Sequence, residues 1–280
     1  PIHEGWLTLA AWAALTSTVR LGLMVGANTI RNPGHTAKLA ATLDHISDGR
    51  AVLGIGGAWF EREHDAFGID FGAGFGERLD RLDEAVGVIR RLLDGETVDH
   101  DGPAYHLHEA AILPRPIQAH LPILIGGSGP KKTLRTVARS GDAWNTSGTI
   151  PEVAARDAIL REHCASVGRD PAAIERTISF PIVIRDRRAD AETALNALLA
   201  HNGVSGGAAG MNVPVLLGPP AEIAAAIAPY RDLGFGTVIV RLPAPFDTET
   251  LARIGEVRDA LDAIPSVDVV VAGPRSASAG

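Results

Sequence analysis

The chain alternates continuous apolar runs of strand length with longer stretches whose apolar residues recur every three or four positions. Runs that are apolar at every position are typical of strands covered on both faces, as in parallel sheets. The pattern predicts a short strand within 141–148 and five longer ones, at 19–26, 50–57, 122–127, 176–184 and 237–243.

The stretches between these runs have the apolar spacing of helices that pack one face on a sheet. In 76–95 the apolar positions form one stripe opposite the charged positions, made by Leu79, Leu82, Val86, Ile89 and Leu93. Asn32 and Pro33 are predicted to begin the helix that ends at Gly49, because asparagine caps helices and proline suits their first turn. The pattern predicts further helices at about 131–140, 151–167, 189–201, 219–233 and 247–263.

Repeated strand-then-helix units predict an α/β fold with a parallel sheet, either open or closed into a barrel. Six predicted strands are two fewer than an eight-stranded barrel needs. The segment 95–121 is interpreted as an inserted loop or small hairpin, and 203–212 as a long loop within one domain rather than a hinge. We expect one domain over 1–264, followed by a disordered tail at 265–280.

The amino-acid composition argues against nucleic-acid and membrane partners. The hydrophobic share of 46% and charged share of 21% are ordinary for a globular protein. A net charge of −7 without a basic cluster argues against a nucleic-acid partner. No apolar stretch approaches the roughly 20 residues that span a bilayer, so no membrane partner is predicted. A single cysteine and a first segment unlike a signal peptide lead us to expect a cytoplasmic protein.

Glycines cluster where the third apolar run ends, in PILIGGSGPKKT at 122–133. The backbone N–H groups of Gly126, Gly127, Ser128 and Gly129, lying at the start of a helix, can form a cradle for a phosphate. The stretch is no Walker A loop, because Pro130 stands where the second glycine is needed. A plain tight turn between strand and helix explains these glycines equally well.

Other polar or glycine-rich strand ends are candidates for ligand contact. Asn28 and Thr29 end the first run, at the mouth where barrel chemistry is placed, although a polar turn is an equal alternative. Gly56 and Gly57 end the second run and could let a flat ligand lie against the backbone. Phe60 occupies the third glycine position of a dinucleotide fingerprint, so that motif is not met.

Two histidine-containing patterns are candidates for acid–base groups or metal ligands. Glu61 and His64 are interpreted as a solvated helix start rather than as an acid–base pair. His106 and His108 have the spacing of a zinc pair on a strand, but no carboxylate cluster accompanies them, and a surface strand is favoured. No metal site is predicted.

Together these stretches resemble the luciferase-like monooxygenase superfamily, in its coenzyme F420-dependent branch. The resemblance extends from about residue 4 to 260 and is carried by RLGLMVGANTIRNPGHTAKLAATLDHISDGRAVLGIGGAWFEREHDAFGI, GERLDRLDEAV, PILIGGSGPKKTLRTVARSGDAWN and YRDLGFGTVIVRLPAP. It implies a TIM-type (β/α)8 barrel with an insertion before the fifth strand, and a chain that begins after the first two strands. A non-proline cis peptide is implied at Met24–Val25, and a homodimer is implied as the assembly.

The resemblance also implies a cofactor across the mouth of the barrel, coenzyme F420 or alternatively FMN. Its phosphate is expected at Gly126, Gly127, Ser128 and Gly129, after the fifth strand. The ring is expected to border the strand ends at Asn28, Gly56 and Gly57. Asn145 and Thr146, after the sixth strand, are expected near the phosphate or side chain of the cofactor.

The family's frequent histidine at the end of the second strand has no counterpart in this chain, and Gly57 stands where some members carry a glutamate. The catalytic acid or base is therefore unassigned, and a position upstream of residue 1 stays open. The expected reaction is hydride transfer between F420 and a small organic substrate. Three alternatives are an FMN-dependent monooxygenase using molecular oxygen, a metal-dependent hydrolase built on His106 and His108, and a non-catalytic subunit.

Overall fold

The computed structural model describes residues 3–204, 207, 210, 211 and 213–266. The helices in the described part are α1 (Gly5–Leu15), α2 (Pro33–Ile46), α3 (Glu61–Phe67), α4 (Phe75–Leu93), α5 (Thr133–Ser140), α6 (Ile150–Ser166), α7 (Arg188–His201), α8 (Pro220–Asp232) and α9 (Thr248–Asp262). The strands are β1 (Gly26–Ala27), β2 (Leu53–Gly56), β3 (Val98–Asp101), β4 (His106–Ala110), β5 (Ile123–Gly126), β6 (Ala143–Thr146), β7 (Glu175–Ile184), β8 (Leu216–Gly218) and β9 (Thr237–Arg241). Short 3₁₀ turns lie at Asn28–Ile30 and Pro171–Ala173.

Five of the six predicted strands are present. The run predicted at 19–26 forms only an isolated bridge at Leu21 and the two-residue strand β1, which shares Gly26 with it. The predicted helices agree with the observed ones to within a few residues. The insertion is a hairpin, with β3 and β4 antiparallel. β8 was not predicted, because three apolar residues are too few to distinguish a strand from a buried loop. Residues 267–280 of the expected tail, and residues 205, 206, 208, 209 and 212 of the predicted loop 203–212, lie outside the described residues. The single domain over 1–264 stays a prediction.

Two compact units make up the chain, the first formed by Pro1–Thr146 with Ala155–Glu175, and the second by Ser147–Ala154 with Arg176–Gly280. In the first unit β1, β2, β5 and β6 run parallel in that order. In the second unit β7 pairs in parallel with both β8 and β9. Both units are therefore built from parallel strands joined through helices, as the sequence pattern predicted.

The apolar stripe of α4 forms much of the core of the first unit. Leu82, Val86 and Ile89 are fully buried, each contributing on the order of 1.5–3 kcal/mol relative to an exposed side chain. Asn32 caps α2, since its side-chain oxygen accepts a hydrogen bond of 2.8 Å from the Gly34 N–H, and Pro33 is the first helical residue. Helix α2 therefore begins as the sequence predicts.

Asp247 should make the stability of the second unit depend on pH. Its carboxylate caps α9 and accepts two 3.1 Å hydrogen bonds from Arg185 and one of 2.7 Å from the Thr250 hydroxyl. Burial acts to raise the pKa of Asp247, but these hydrogen bonds outweigh it and the pKa lies below its ordinary value. The resulting stabilisation is fully present above the unfolded-state pKa of about 4 and is lost as the pH falls through the folded-state pKa.

We therefore expect Asp247→Asn to lower the free energy of unfolding by about 1–2 kcal/mol at neutral pH, because the neutral amide loses the charge-assisted bonds from Arg185. Urea denaturation across a pH series measures this difference, which should shrink as the solution is acidified. Asp262→Asn, at an exposed position on the same helix, is the control. A difference that stays constant at every pH would contradict the prediction.

Candidate functional site

The carboxyl ends of four parallel strands place the predicted site residues along one edge of the first unit. Ala27 pairs with Gly56 across β1 and β2, and Gly126 pairs with Asn145 across β5 and β6. Asn28 directly follows β1 and is buried, with 3% of its surface exposed. The predicted residues therefore lie at this edge or in the loops that leave it, which we call the mouth edge.

Val25 explains why several strand ends at this edge are glycine. A Cβ atom on Gly56 would lie 2.8 Å from the Val25 Cγ2, and one on Gly126 would lie 3.0 Å from the same atom. The peptide bond between Met24 and Val25 is cis, as the resemblance implied. Gly56 and Gly126 thus have a packing reason that is independent of any ligand.

The loop after β5 offers fewer free N–H groups than the sequence indicates. Gly127 adopts a φ of +139° that favours glycine, and its N–H donates to the Asn145 carbonyl at 3.0 Å. Its carbonyl accepts from the Trp144 indole N–H at 2.8 Å. The Gly127 N–H is therefore engaged within the protein, and the expectation that it faces a phosphate is corrected.

Ser128 and Gly129 retain the character of an anion cradle. Their backbone N–H groups have no hydrogen-bond partner among the described residues, whereas the Gly129 carbonyl accepts from Leu134 at the start of α5. Helix α5 begins at Thr133, so both N–H groups precede the positive end of a helix. The predicted phosphate cradle is narrowed to these two amides.

Hydroxyl groups and an arginine stand beside this cradle. The Ser128 Oγ lies 3.2 Å from the Thr146 Oγ1, which also accepts a long contact of 3.5 Å from the Arg156 guanidinium. Thr146 and Asn145 are both buried. Arg156 was missed by sequence reasoning, because it lies ten residues beyond Thr146 on α6 and nothing in its spacing indicates this contact.

Arg78 is a second cation that sequence reasoning missed, and only 8% of its surface is exposed. Its guanidinium lies 3.7 Å over the Phe71 ring, and its Nε has no hydrogen-bond partner in the described part of the chain. Leu79, the next residue, packs close to two glycines of the mouth edge. A Cβ atom on Gly57 would lie 2.8 Å from the Leu79 side chain, and one on Gly129 would lie 3.7 Å from it. A buried cation without a carboxylate partner among the described residues thus lies on the helical turn that packs against the cradle loop.

The position of Arg78 in the sequence could have marked it as a candidate site residue. It lies in the first turn of α4, where the positive end of the helix disfavours a cation. The two lysines of the loop are placed differently from Arg78, because the Lys132 ammonium pairs with Asp80 at 2.6 Å and Lys131 is exposed.

His64 is not part of a solvated helix start, which corrects that interpretation, although Glu61 is exposed as expected. The ring is 1% exposed and packs against Phe71 with 4.6 Å between ring centroids. Its Nδ1 lies 3.0 Å from the Phe60 carbonyl, which can only accept, so this nitrogen carries the proton. In the tautomer with its proton on Nδ1, the ring accepts through Nε2 from the Thr29 hydroxyl, at 2.6 Å.

Tyr105 reaches the mouth edge from the insertion hairpin. Its hydroxyl oxygen accepts a 2.9 Å hydrogen bond from the Asn28 side-chain amide, 77 residues away in sequence. Burial raises the pKa of Tyr105, so the hydroxyl is protonated at neutral pH. Sequence reasoning placed this tyrosine in a peripheral insertion and did not select it.

The histidines on the hairpin do not assemble a metal centre. His106 pairs with Asp101 at 2.5 Å and His108 with Asp99 at 3.0 Å, all four being exposed. Among the residues that the structure describes, no group of three or more histidine, cysteine, aspartate or glutamate side chains is arranged to hold a metal ion.

Within the same residues, no helix is both long and apolar enough to cross a membrane.

Comparison with solved structures identifies the architecture. An F420-dependent secondary alcohol dehydrogenase, in complex with an F420–acetone adduct, superposes with a TM-score of 0.79 at 19% identity, covering 92% of this chain and 84% of that one. At this identity the likeness shows the fold alone. It confirms the predicted class, an α/β fold with mostly parallel strands of the TIM-barrel type.

Sequence comparison identifies the family. An uncharacterised protein of Mycobacterium tuberculosis is 33% identical over 167 residues, or 60% of this chain, and the chain spans 58% of that relative's length. The F420-dependent glucose-6-phosphate dehydrogenase of Kineococcus radiotolerans is 32% identical over 264 residues, covering 86% of this chain and 77% of that one. A family model described as luciferase-like monooxygenase matches residues 2–211. With most of its length matched in this way, the chain belongs to the luciferase-like monooxygenase family.

Proposed function

We propose that this chain is an oxidoreductase that transfers hydride between coenzyme F420 and a small organic substrate. The observation that carries the proposal is the cradle at Ser128 and Gly129, which has two unpaired N–H groups next to a helix start. The buried cation of Arg78, which has no carboxylate partner among the described residues, lies on the neighbouring turn. An anion bound there would satisfy both N–H groups and offset the cost of burying the guanidinium.

The residues of the mouth edge suit a phosphate-bearing cofactor with a flat ring. Ser128 and Gly129 would hold the phosphate, with the hydroxyls of Ser128 and Thr146 as further hydrogen-bonding groups. Asn28 and Gly56 would border the ring. Coenzyme F420, when bound, supplies the carbon that gives or accepts the hydride, and the protein supplies binding and orientation.

The substrate class that we propose is an alcohol–carbonyl pair. The Kineococcus relative is described as a glucose-6-phosphate dehydrogenase and the structural neighbour as a secondary alcohol dehydrogenase. Hydride transfer to a carbonyl carbon requires a proton for the carbonyl oxygen, so a proton donor at the mouth edge is needed.

A fluorescence titration of the purified protein with F420 and, separately, with FMN tests the cofactor. We expect saturable F420 binding at a stoichiometry of about one per chain, with FMN much weaker. Inorganic phosphate should compete with F420, because the cradle binds the phosphate group. Lys131→Ala, which removes an exposed lysine of the same loop, is the control and should leave binding unchanged.

The second candidate is an FMN-dependent monooxygenase, favoured by the description of the matching family model. It uses the same phosphate cradle but takes FMN and molecular oxygen. Tight FMN binding without F420 binding would replace the first candidate with this one.

A homodimeric assembly and a cytoplasmic location belong to the same proposal. The dimer rests on the family resemblance, and the location on the composition and the single, buried cysteine at Cys164. Light scattering of the purified protein distinguishes a dimer from a monomer, and cell fractionation of the source organism tests the location.

A further inference from the structure

Tyr105 presents a hydroxyl proton at the mouth edge for which the described residues provide no acceptor. The Asn28 amide donates to the tyrosine oxygen, so this contact uses a lone pair and leaves the O–H free to donate. Asn28 directly follows β1, and its neighbour Ala27 pairs with Gly56. The phenol hydroxyl is thus held beside the strand ends where the cofactor ring is proposed to lie.

The other hydroxyls at this edge are engaged with protein groups. The Thr29 hydroxyl lies 2.6 Å from His64 Nε2, which accepts its proton in the tautomer that donates Nδ1–H to the Phe60 carbonyl. Ser128 and Thr146 lie within hydrogen-bond distance of each other and next to the proposed phosphate cradle. Tyr105 is therefore the side chain best placed to donate a proton to a substrate.

The insertion hairpin is anchored in a way that fixes the position of Tyr105. The Glu84 carboxylate on α4 accepts from the backbone N–H of Tyr105 at 3.0 Å and of Ala104 at 3.1 Å, and from the His100 ring at 2.8 Å. A Cβ on Gly102 would collide with this carboxylate. A loop that served only to connect β3 and β4 would not need such a clamp to a core helix.

We propose that Tyr105 is a catalytic residue that binds the substrate oxygen and exchanges a proton with it, while Asn28 and Glu84 position it. The proposal rests on the proposed function, since it needs an alcohol–carbonyl substrate. It assigns a proton donor within this chain.

A carbonyl substrate is reduced by one hydride and one proton. Hydride arrives at the carbonyl carbon and forms the new C–H bond, and the electron pair of the carbonyl π bond moves to the oxygen. That oxygen takes the proton of the Tyr105 hydroxyl, which gives the alcohol and leaves a phenolate. The Asn28 amide already donates to the phenolate oxygen and stabilises its charge, and water returns the proton. Alcohol oxidation runs through the same groups in reverse.

Fluorine NMR tests the placement of Tyr105 without requiring turnover. The chain has only two tyrosines, so replacement by 3-fluorotyrosine gives two signals that Tyr105→Phe and Tyr230→Phe assign. F420, followed by acetone, should shift the Tyr105 signal and leave the Tyr230 signal, whose hydroxyl donates to the Gly148 carbonyl within the second unit. A Tyr105 signal that stays constant while fluorescence shows F420 bound overturns the assignment and leaves the proposed function standing.

Kinetics with reduced F420 and acetone test the chemical role. Tyr105→Phe should keep the F420 dissociation constant within about 2-fold and lower kcat by about 10²-fold, the usual effect of losing a general acid. His108→Ala, exposed on the same hairpin, should change neither, and Glu84→Gln should lower kcat less than Tyr105→Phe. Loss of kcat in Thr29→Val with wild-type kcat in Tyr105→Phe would overturn the proposal in favour of Thr29. Failure of F420 to bind would instead remove the proposed function, and this assignment with it.

Discussion

Gly127→Asp should weaken F420 binding by about 10²-fold or more while the protein still folds. A carboxylate about 5 Å from a bound phosphate is repelled by roughly 3 kcal/mol at an effective dielectric constant of 20, which corresponds to that factor in affinity. Direct loss of the Gly127 N–H plays no part, because this group already donates to the Asn145 carbonyl. Fluorescence titration with F420 measures the effect.

Gly127→Ala is the matched control for this prediction. Both side chains must adopt a φ of +139°, and both bring a Cβ to 3.1 Å from the Thr133 Cγ2. Each variant therefore loses about 1–3 kcal/mol of stability, or several degrees in Tm, from the backbone alone. The additional loss of affinity in Gly127→Asp isolates the charge, and it should shrink at high salt. Equal affinity in the two variants would show that no anion binds near this loop.

The elements that the sequence predicts well are those whose stabilisation is local and repeated. The stripe of α4 could be identified because Leu82, Val86 and Ile89 recur at helical spacing and are all buried. β2 and β5 could be identified because they are apolar at every position, whereas β6 contains Asn145 and Thr146 and was predicted only as a short strand. β8 escaped detection since its pairing with β7, rather than its own three residues, makes it a strand.

The site residues that sequence reasoning missed owe their position to contacts across long separations. The 77 residues between Asn28 and Tyr105 leave no spacing rule that links the two side chains. His64 belongs to a helix of seven residues, too short to show a stripe, and its burial depends on Phe71 in the next loop. Gly127 was placed correctly in the loop, but only the β5–β6 pairing determines that its N–H is engaged.

Arg78→Met should affect stability and cofactor affinity in opposite directions. In the unliganded protein the guanidinium is buried, its Nε is unpaired, and no carboxylate pairs with it among the described residues. An apolar side chain of similar length removes that desolvation cost and retains contact with the Phe71 ring, so the free energy of unfolding should be unchanged or higher by about 1–2 kcal/mol. The affinity for F420 should fall by about 10- to 100-fold, because the phosphate loses a charge partner in a site of low dielectric.

Arg81→Met, three residues further along α4, separates this effect from a general loss of charge on the helix. Arg81 pairs with Asp70 at 2.7 Å and with Glu77, so its removal should lower stability by up to about 1 kcal/mol and leave F420 affinity unchanged. Urea denaturation and fluorescence titration of both variants give the two quantities, and Arg78→Lys should retain more affinity than Arg78→Met. If Arg78→Met were the less stable variant and bound F420 like the wild type, the buried arginine would be a packing residue, and the cradle at Ser128 and Gly129 would have to hold its anion without a charge partner.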